Sequence, residues 1–307
     1  MEGSDVVTLA QVARHAGVAT STASYVLSGK RSISAATRRR VEESVRQLGY
    51  APRSLPNVKL IALVLPDRAD GGPGWLGAFL SAATALARQA GADLVICPSA
   101  ESVRLRNPDA VIVVAPTTAP VDVSVPVVRV GGTPDRSGHG AVDVDRAEAG
   151  VRCAEYLADL GHRTIAVVHG GGPDAFVHSA RAVAERRGTT VRCHAWPVTP
   201  DDLFAGPAPV TAVVAADGHL VAPVLAHLGR RHLRVPRDIS VVALCADETA
   251  EALGPGVTSI GTSAAELGRA AMDLALAEAP GATALPPRLT VRPSTGPAWS
   301  GTDVPVA

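Results

Sequence analysis

Thr8-Leu-Ala-Gln-Val-Ala-Arg-His-Ala-Gly-Val-Ala-Thr-Ser-Thr-Ala-Ser-Tyr-Val-Leu-Ser28 is the stretch on which the fold turns. Leu9, Val12, Ala13 and Ala16 follow the i, i+3, i+4, i+7 spacing of a helix face, and Thr8 stands where a capping hydroxyl belongs. Gly17 breaks that helix. A second is expected from about Thr20 to Ser28, with Ala23, Val26 and Leu27 turned inward. Just beyond, Ser34 opens a third, with Val41, Val45 and Leu48 on one face and Gly49 as its stop. Two helices joined by a short glycine-containing turn form the pattern of a helix-turn-helix unit, whose second helix enters the major groove of DNA. Any small three-helix bundle shows the same periodicity, so spacing alone leaves both open.

Charge is placed unevenly around this stretch. The 307-residue chain is neutral, with 29 basic and 29 acidic residues. Residues 1–57 hold eight basic side chains against four acidic ones, so the front is +4 and the remainder −4. Such a difference is a weak pointer to a polyanionic partner. The length suits two or three domains, and 47% hydrophobic with 19% charged residues can bury a substantial core. No apolar run approaches the roughly 18 residues of a membrane helix. The start, Met-Glu-Gly-Ser-Asp5, is acidic and no signal-type apolar segment follows it. Cys97, Cys153, Cys193 and Cys245 are far apart, which suits reduced thiols in a cytoplasm better than a disulfide frame or a zinc site.

The residue types go further than the spacing. Thr8-Leu-x-x-Val-Ala-x-x-Ala-Gly-Val18, Ser21-Thr-Ala-Ser-Tyr-Val-Leu-Ser-Gly29, Ile33-Ser-x-x-Thr-Arg-Arg-Arg-Val41 and Leu48-Gly-Tyr-x-Pro52 closely resemble the lac-repressor (LacI/GalR) family of bacterial transcription regulators. Leu160-Gly-His-Arg163, Val235-Pro-Arg-Asp-Ile-Ser-Val-Val242, Val257-Thr-Ser-Ile260 and Leu289-Thr-Val-Arg-Pro-Ser294 extend the resemblance downstream. It implies a dimer that reads an operator in double-stranded DNA through Thr20, Ser21 and Tyr25 of the second helix. Backbone contacts fall by the same resemblance to Thr8, Ser24, Ser28, Ser34, Thr37 and Tyr50, short donors that fix register without reading sequence.

This chain also departs from the family pattern. The position of Tyr25 is commonly an arginine, which can grip guanine through two hydrogen bonds worth about 1–3 kcal/mol of discrimination. Tyr25 cannot make that fork. The usual serine at the helix start is Ala19, so a side-chain cap either shifts to Thr20 or is lost at roughly 1 kcal/mol. Of Arg38, Arg39 and Arg40, at least one must face away from any groove. The linker is cut down: only Pro52-Arg-Ser-Leu-Pro-Asn57 precedes the first strand, and Pro56 stops a helix almost as it starts. Leu55 reads either as the remnant of a leucine that wedges into the minor groove or as a spacer packed under that strand.

After residue 58, valine-, isoleucine- and leucine-rich runs alternate with helical patterns. Strands are expected at 59–65, 92–97, 109–115, 125–130, 164–169, 190–195, 210–215, 239–244, 257–260 and 287–292, and helices at about 74–90, 145–160, 175–187, 217–230 and 262–279. The fold class is α/β. A three-helix head at 1–57, with a shortened hinge, precedes a body of two doubly wound parallel sheets at 58–307. The resemblance implies a periplasmic-binding-protein-like body that binds an effector and dimerises. It divides the body into one lobe at about 58–142 and 261–283 and another at about 143–260 and 284–300. Material is expected to be missing after Cys97, where only Ala100–Arg106 is available for a helix, and around 196–208.

Relatives bind sugars or purines in the cleft between such lobes, so the cleft positions are compared one by one. An aromatic position is kept as Trp75, which reads equally as a surface for stacking a ligand or as a core or hinge tryptophan. An arginine expected before a second-lobe helix falls on Phe176. An Asn-Asp pair becomes Asp217-Gly218, and an Asp-Asp pair becomes Cys245-Ala246 with Asp247 one place beyond. Several groups that would hold sugar hydroxyls are therefore replaced, and a site without them loses discrimination for a polyol. The expectation is that a simple sugar does not bind. Either a more apolar or aromatic molecule occupies the cleft, or regulation proceeds without a small effector.

Enzyme motifs are lacking. Gly170-Gly-Gly-Pro173 follows a strand, yet neither dinucleotide nor P-loop glycine patterns occur, and there is no nucleophile elbow. His162, in the Gly-His-Arg turn, suits a structural role. No cofactor or metal is expected. The chain's last residues, from Trp299, carry no leucine heptad, so a tetramer of the heptad type is not expected. A cytoplasmic operator-binding regulator leads. A ligand sensor whose helical head serves protein contact is the alternative.

Overall fold

The computed structural model describes residues 7–28, 33–50, 58–65, 72–115, 123–131, 140–171, 174–253, 256–277 and 281–299. Leu55 lies outside them, as does the side chain of Ser28. The chain divides into two compact units, Met1–Lys59 with Gly91–Asp93 and the remainder.

In the head, α1 (Leu9–His15) is entered through a capping box: the Gln11 N–H donates to Thr8 Oγ1 at 3.3 Å, and the Thr8 N–H donates to Gln11 Oε1 at 2.6 Å. The second helix, α2, spans Thr20–Ser28. Ala19 sits at its N-cap, its carbonyl accepting from the Ala23 N–H at 3.0 Å. Thr20 is already inside the helix and Ala19 has no side-chain oxygen, so the side-chain cap is lost rather than shifted. The third, α3 (Ala35–Leu48), is capped by Ser34 Oγ, which accepts from the Thr37 N–H at 3.3 Å. It ends at Gly49, whose φ of 64° is one that glycine adopts without strain. Val12, Ala13, Ala16, Ala23, Val26 and Val41 close a common core, with Tyr50 packed against it.

The second unit holds two six-stranded sheets among the described residues. The first contains β1 (Leu60–Val64), β2 (Asp93–Cys97), β3 (Ala110–Val114), β4 (Val127–Val130), β5 (Gly140–Val144) and, much later, β11 (Ala282–Leu285), in the order β11-β5-β4-β3-β1-β2. The other contains β6 (Thr164–His169), β7 (Thr190–Ala195), β8 (Ala212–Ala215), β9 (Ser240–Leu244), β10 (Thr258–Gly261) and β12 (Arg288–Thr290), in the order β12-β10-β9-β8-β6-β7. The successive pairings from β11 through β5, β4 and β3 to β1, and from β10 through β9, β8 and β6 to β7, are parallel, and β10 with β12 is antiparallel. β3 and β9 are buried along their whole length, as strands covered by helices on both faces must be. The chain passes from the first sheet to the second after β5, back after β10, and again between β11 and β12.

Helices α4 (Gly72–Gln89), α5 (Ala100–Arg106) and α11 (Ala264–Ala277) belong with the first sheet, and α4 packs closely on α11. Around the second lie α6 (Arg146–Asp159), α7 (Ala175–Arg186), α8 (Pro200–Phe204), α9 (Val221–Arg230) and α10 (Asp247–Ala252). α10 reaches across to α4. Five elements, β5, β11, α5, α8 and α10, are not among those expected. β5 and β11 are sheet strands built from Gly-Ala-Val-Asp-Val and Ala-Thr-Ala-Leu, too short and too poor in bulky β-branched residues to stand out. α10 is only six residues long, with no apolar periodicity to reveal it. After Cys97 the seven available residues do form a helix, α5, because Ser99 and Ser102 make a capping box.

Candidate functional sites in the head and the cleft

Ala23 and Val26 anchor α2 in the head core, which turns Thr20, Ser21, Ser24 and Tyr25 outward together. At i, i+1, i+4 and i+5 these four residues form one contiguous exposed stripe. The hydroxyls of Thr8 and Ser34 are engaged in capping their own helices, and Ser34 Oγ also donates to Thr37 Oγ1 at 2.9 Å. Tyr50 is half-buried. Arg38, Arg39 and Arg40 are all exposed, whereas Arg46 is held by Glu43 at 2.9 Å. His15 and Ser44 link α1 to α3: Ser44 Oγ donates to the Arg40 carbonyl at 2.8 Å, so His15 Nδ1, 3.0 Å away, acts as the donor to Ser44 Oγ.

The second site is a cavity of about 330 Å³ between the two sheets. Its walls stand at the carboxyl ends of the parallel strands, where doubly wound folds place ligands. Leu65 follows β1, Val114 and Ala115 end β3, Val130 and Gly131 end β4, and Asp143 and Val144 end β5. Asp217, Leu244, Cys245, Ala246 and the Gly261-Thr262 crossover supply the opposite side. Trp75 and Leu76 of α4 complete it. Trp75 is half-buried and stacks on the fully buried Phe79, ring centroids 5.1 Å apart and planes at 15°. It therefore belongs to both the cleft wall and the core beneath.

The polar end of the cavity turns on Arg146, the first residue of α6. Its Nε donates to Asp174 Oδ2, and its Nη2 donates to the Ala216 carbonyl at 3.0 Å and lies 3.4 Å from Asp217 Oδ1. Asp217 Oδ2 accepts the Gly170 N–H at 2.8 Å, so that glycine faces a carboxylate and not a phosphate. Asp143 Oδ1 accepts the Val144 N–H at 2.7 Å, while Oδ2 is buried without a hydrogen-bond partner among the described residues. Burial pushes the Asp143 carboxyl up to about 6; Arg146 pulls it down, and Asp174 and Asp217 add to the rise. Burial likewise pushes the Cys245 thiol up to about 12, so it stands in the wall as a neutral apolar group.

Two residues expected in the cleft lie elsewhere. Phe176 is 1% exposed and packs in the core between α6, α7 and the second sheet. Asp247 faces Arg292, with Nη2 at 3.0 Å, and accepts from Ser259 Oγ at 2.6 Å and Thr290 Oγ1 at 3.2 Å. Burial acts to raise its carboxyl, but these donors outweigh it and hold the group below the usual range. Asp143, Arg146 and His219 line the cavity without having been singled out from sequence. For His219 a signal was its place just after the apolar run that forms β8; Asp143 and Arg146, at the end of β5 and just past it, had no such marker. His162 is buried in its turn, with Nδ1 2.8 Å from Thr211 Oγ1. Among the described residues no group of three or more His, Cys, Asp or Glu side chains could hold a metal ion. No helix among them is long and apolar enough to cross a membrane.

Residues 8–53, the head, match the family model described as bacterial regulatory proteins, lacI family, and residues 154–295 match that of the periplasmic binding protein-like domain. The chain belongs to the lacI family. This lacI-family chain is 24% identical to the HTH-type transcriptional repressor PurR of Vibrio cholerae serotype O1 (strain M66-2), over 88% of its own length and 91% of that protein's. It is 25% identical to the ribose operon repressor of Escherichia coli (strain K12), over 88% and 92%. The lac repressor dimer bound to operator and the anti-inducer ONPF shares its fold, with a TM-score of 0.65 at 23% identity over 94% of this chain and 99% of that one. As a lacI-family member the chain is a sequence-specific DNA-binding transcriptional regulator with an effector-binding body.

Proposed function

We propose that the chain is a repressor that binds a near-palindromic operator as a homodimer, each subunit placing α2 in a major groove. The observation that carries this is the exposed stripe of Thr20, Ser21, Ser24 and Tyr25, backed by the buried Ala23 and Val26. Thr20, Ser21 and Tyr25 read bases. Thr8, Ser24, Ser28, Ser34, Thr37 and Tyr50 position the backbone, and Arg38, Arg39 and Arg40 add a field that speeds association. The head is residues 1–57, and the body from 58 onward binds effector and dimerises. Ile96 on β2 and Leu105 on α5, 50% and 86% exposed, supply apolar surface for a second copy to cover.

The effector is not a simple sugar. The cavity walls are mainly apolar, and the polar groups Arg146 and Asp217 are already engaged with each other and with the backbone. A polyol would leave most of its hydroxyls without partners. Footprinting with purified chain tests the operator reading. Protection of a palindrome with half-sites about one helical turn apart is expected, falling with salt at a log–log slope of about 0.9 per phosphate contact. Protection without sequence preference defeats it. Calorimetry with ribose and glucose tests the cleft reading, and micromolar binding of either defeats it.

A further inference from the structure

We propose that the cleft takes a small organic cation with an apolar, ring-sized body, its ammonium or amidinium group paired with Asp143 and its body set against the Trp75 side of the cavity. This rests on the reading of the cleft as the effector site and names the ligand class for it.

The charge at the polar end does not balance. Asp143 and Asp217 of the lining, with Asp174 behind them, face a single guanidinium, that of Arg146; the His219 imidazole and the neutral Cys245 thiol are the other titratable groups in the lining. Arg146 directs Nε at Asp174 and Nη2 at Asp217 and the Ala216 carbonyl, and Asp143 Oδ2 receives no hydrogen bond from it. A buried carboxylate oxygen without a donor has two remedies: a proton or an incoming cation. Raised by burial to about 6, the carboxyl takes the proton below that pH; above it the charge stands with no donor on Oδ2, and a cationic ligand would supply one.

The rest of the cavity selects the body of the ligand. Leu65, Leu76, Val114, Val130 and Leu244 offer no hydrogen bonds, and the indole of Trp75 adds an aromatic surface to which cations and flat rings are both attracted. Thr262 has its hydroxyl already given to Glu266 Oε2 at 2.8 Å. An anion would meet the excess of carboxylates. A neutral polyol would find the Asp143 oxygen and the His219 ring among walls that are mainly apolar. A volume of about 330 Å³ lies at the lower end of ligand pockets, which matches a single ring with a short amine-bearing arm.

The test uses the full-length protein and a fixed panel: phenethylamine, tryptamine and cyclohexylmethylamine, with 2-phenylethanol as the neutral isostere, 3-phenylpropionate as the anion, and ribose. Binding is read by calorimetry and by tryptophan fluorescence at about pH 7 and pH 5. The expected result is at least tenfold tighter binding of an amine than of the alcohol, with no anion binding. Affinity should fall about tenfold from pH 7 to pH 5 as one carboxyl takes up its proton. Asp143→Asn should reduce amine affinity at least tenfold and remove the pH dependence, and Trp75→Leu should reduce affinity while keeping it. A melting curve establishes that each variant is folded. Failure of all three amines to bind overturns the proposal, as does equal binding of amine and alcohol or unchanged affinity in Asp143→Asn. Micromolar ribose binding instead overturns the non-sugar reading on which the proposal rests.

Discussion

Gly268 on α11 lies directly over the backbone of Phe79 on α4: a methyl group added at Gly268 would sit 2.6 Å from the Phe79 carbonyl oxygen. That contact sets how closely the two helices approach, and Phe79 carries the stacked Trp75 of the cleft wall. Gly268→Ala must push α4 aside. It should lower stability by about 1–3 kcal/mol, the usual cost of overpacking a filled core. Thermal melting measures the loss, and the fluorescence of Trp75 should change with it. An unshifted melting point would show that α4 and α11 have room to separate.

In the proposed readout Tyr25 takes a position commonly held by an arginine, which can give guanine preference. Tyr25→Arg should therefore restore guanine at one base pair of each half-site, with a gain of about 1–3 kcal/mol over the other bases at that position. Competition gel shifts with operators varied at single positions read this directly. Equal gains on all sequences would make residue 25 a phosphate contact.

Asp143 makes stability depend on pH in the direction opposite to that of an ion-paired carboxylate. Its folded value of about 6 lies above the ordinary 3.8, so the folded chain holds the proton more tightly than the unfolded chain between those limits. Stability contributed by this group therefore falls as pH rises from about 4 to about 6 and is constant beyond. Asp143→Asn should stabilise the protein by roughly 1–3 kcal/mol at about pH 8 and leave it unchanged near pH 4. His194 and His227 act in the other sense. Burial, with Arg192 and Arg230 respectively, lowers their values, and they withdraw stability as the solution becomes acidic. Comparing wild type with the variant at each pH cancels those histidines.

Arg146 joins the cap of α7, the end of β8 and Asp217 through one side chain. Arg146→Met keeps the length of the side chain but strands two carboxylates and a carbonyl. A loss of about 1.5–3 kcal/mol is expected, the range for hydrogen bonds to charged groups. Combining it with Asp174→Asn should cost less than the sum of the two single changes, which denaturant titration of the four proteins would show. Strict additivity would mean that the two side chains act independently.

The head was legible because its signals are local. Leu9, Val12, Ala13 and Ala16 mark a helix face, Gly17 and Gly49 mark ends, and the core of the unit is what those positions enclose. The long apolar runs gave the central strands for the same reason. β5 and β11 escaped because their pairing is settled by neighbours far along the chain, Gly140–Val144 against Ala282–Leu285. In the cleft, Phe176 could have been placed correctly from sequence. Phe176, Val177, Ala180, Val183 and Ala184 follow the spacing of an inward helix face, and that periodicity outranks a position-by-position match. Asp247 could not, since its partner Arg292 is 45 residues away and nothing local announces it. Asp143 and Arg146 straddle the junction of an unrecognised strand with the following helix, which hid them both.

The three passages of the chain between its sheets govern the order in which the body can be completed during synthesis. The first sheet gains its edge strand only at Ala282–Leu285, and the second only at Arg288–Thr290. Neither sheet can finish while the ribosome is still adding the residues before them. A nascent chain stopped at 281 would present β5 and β10 with open hydrogen-bonding edges, the surface from which strand-to-strand aggregation starts. Both lobes therefore close almost together, once residues 282–290 have been made, and a chain broken just before them spoils two sheets at once.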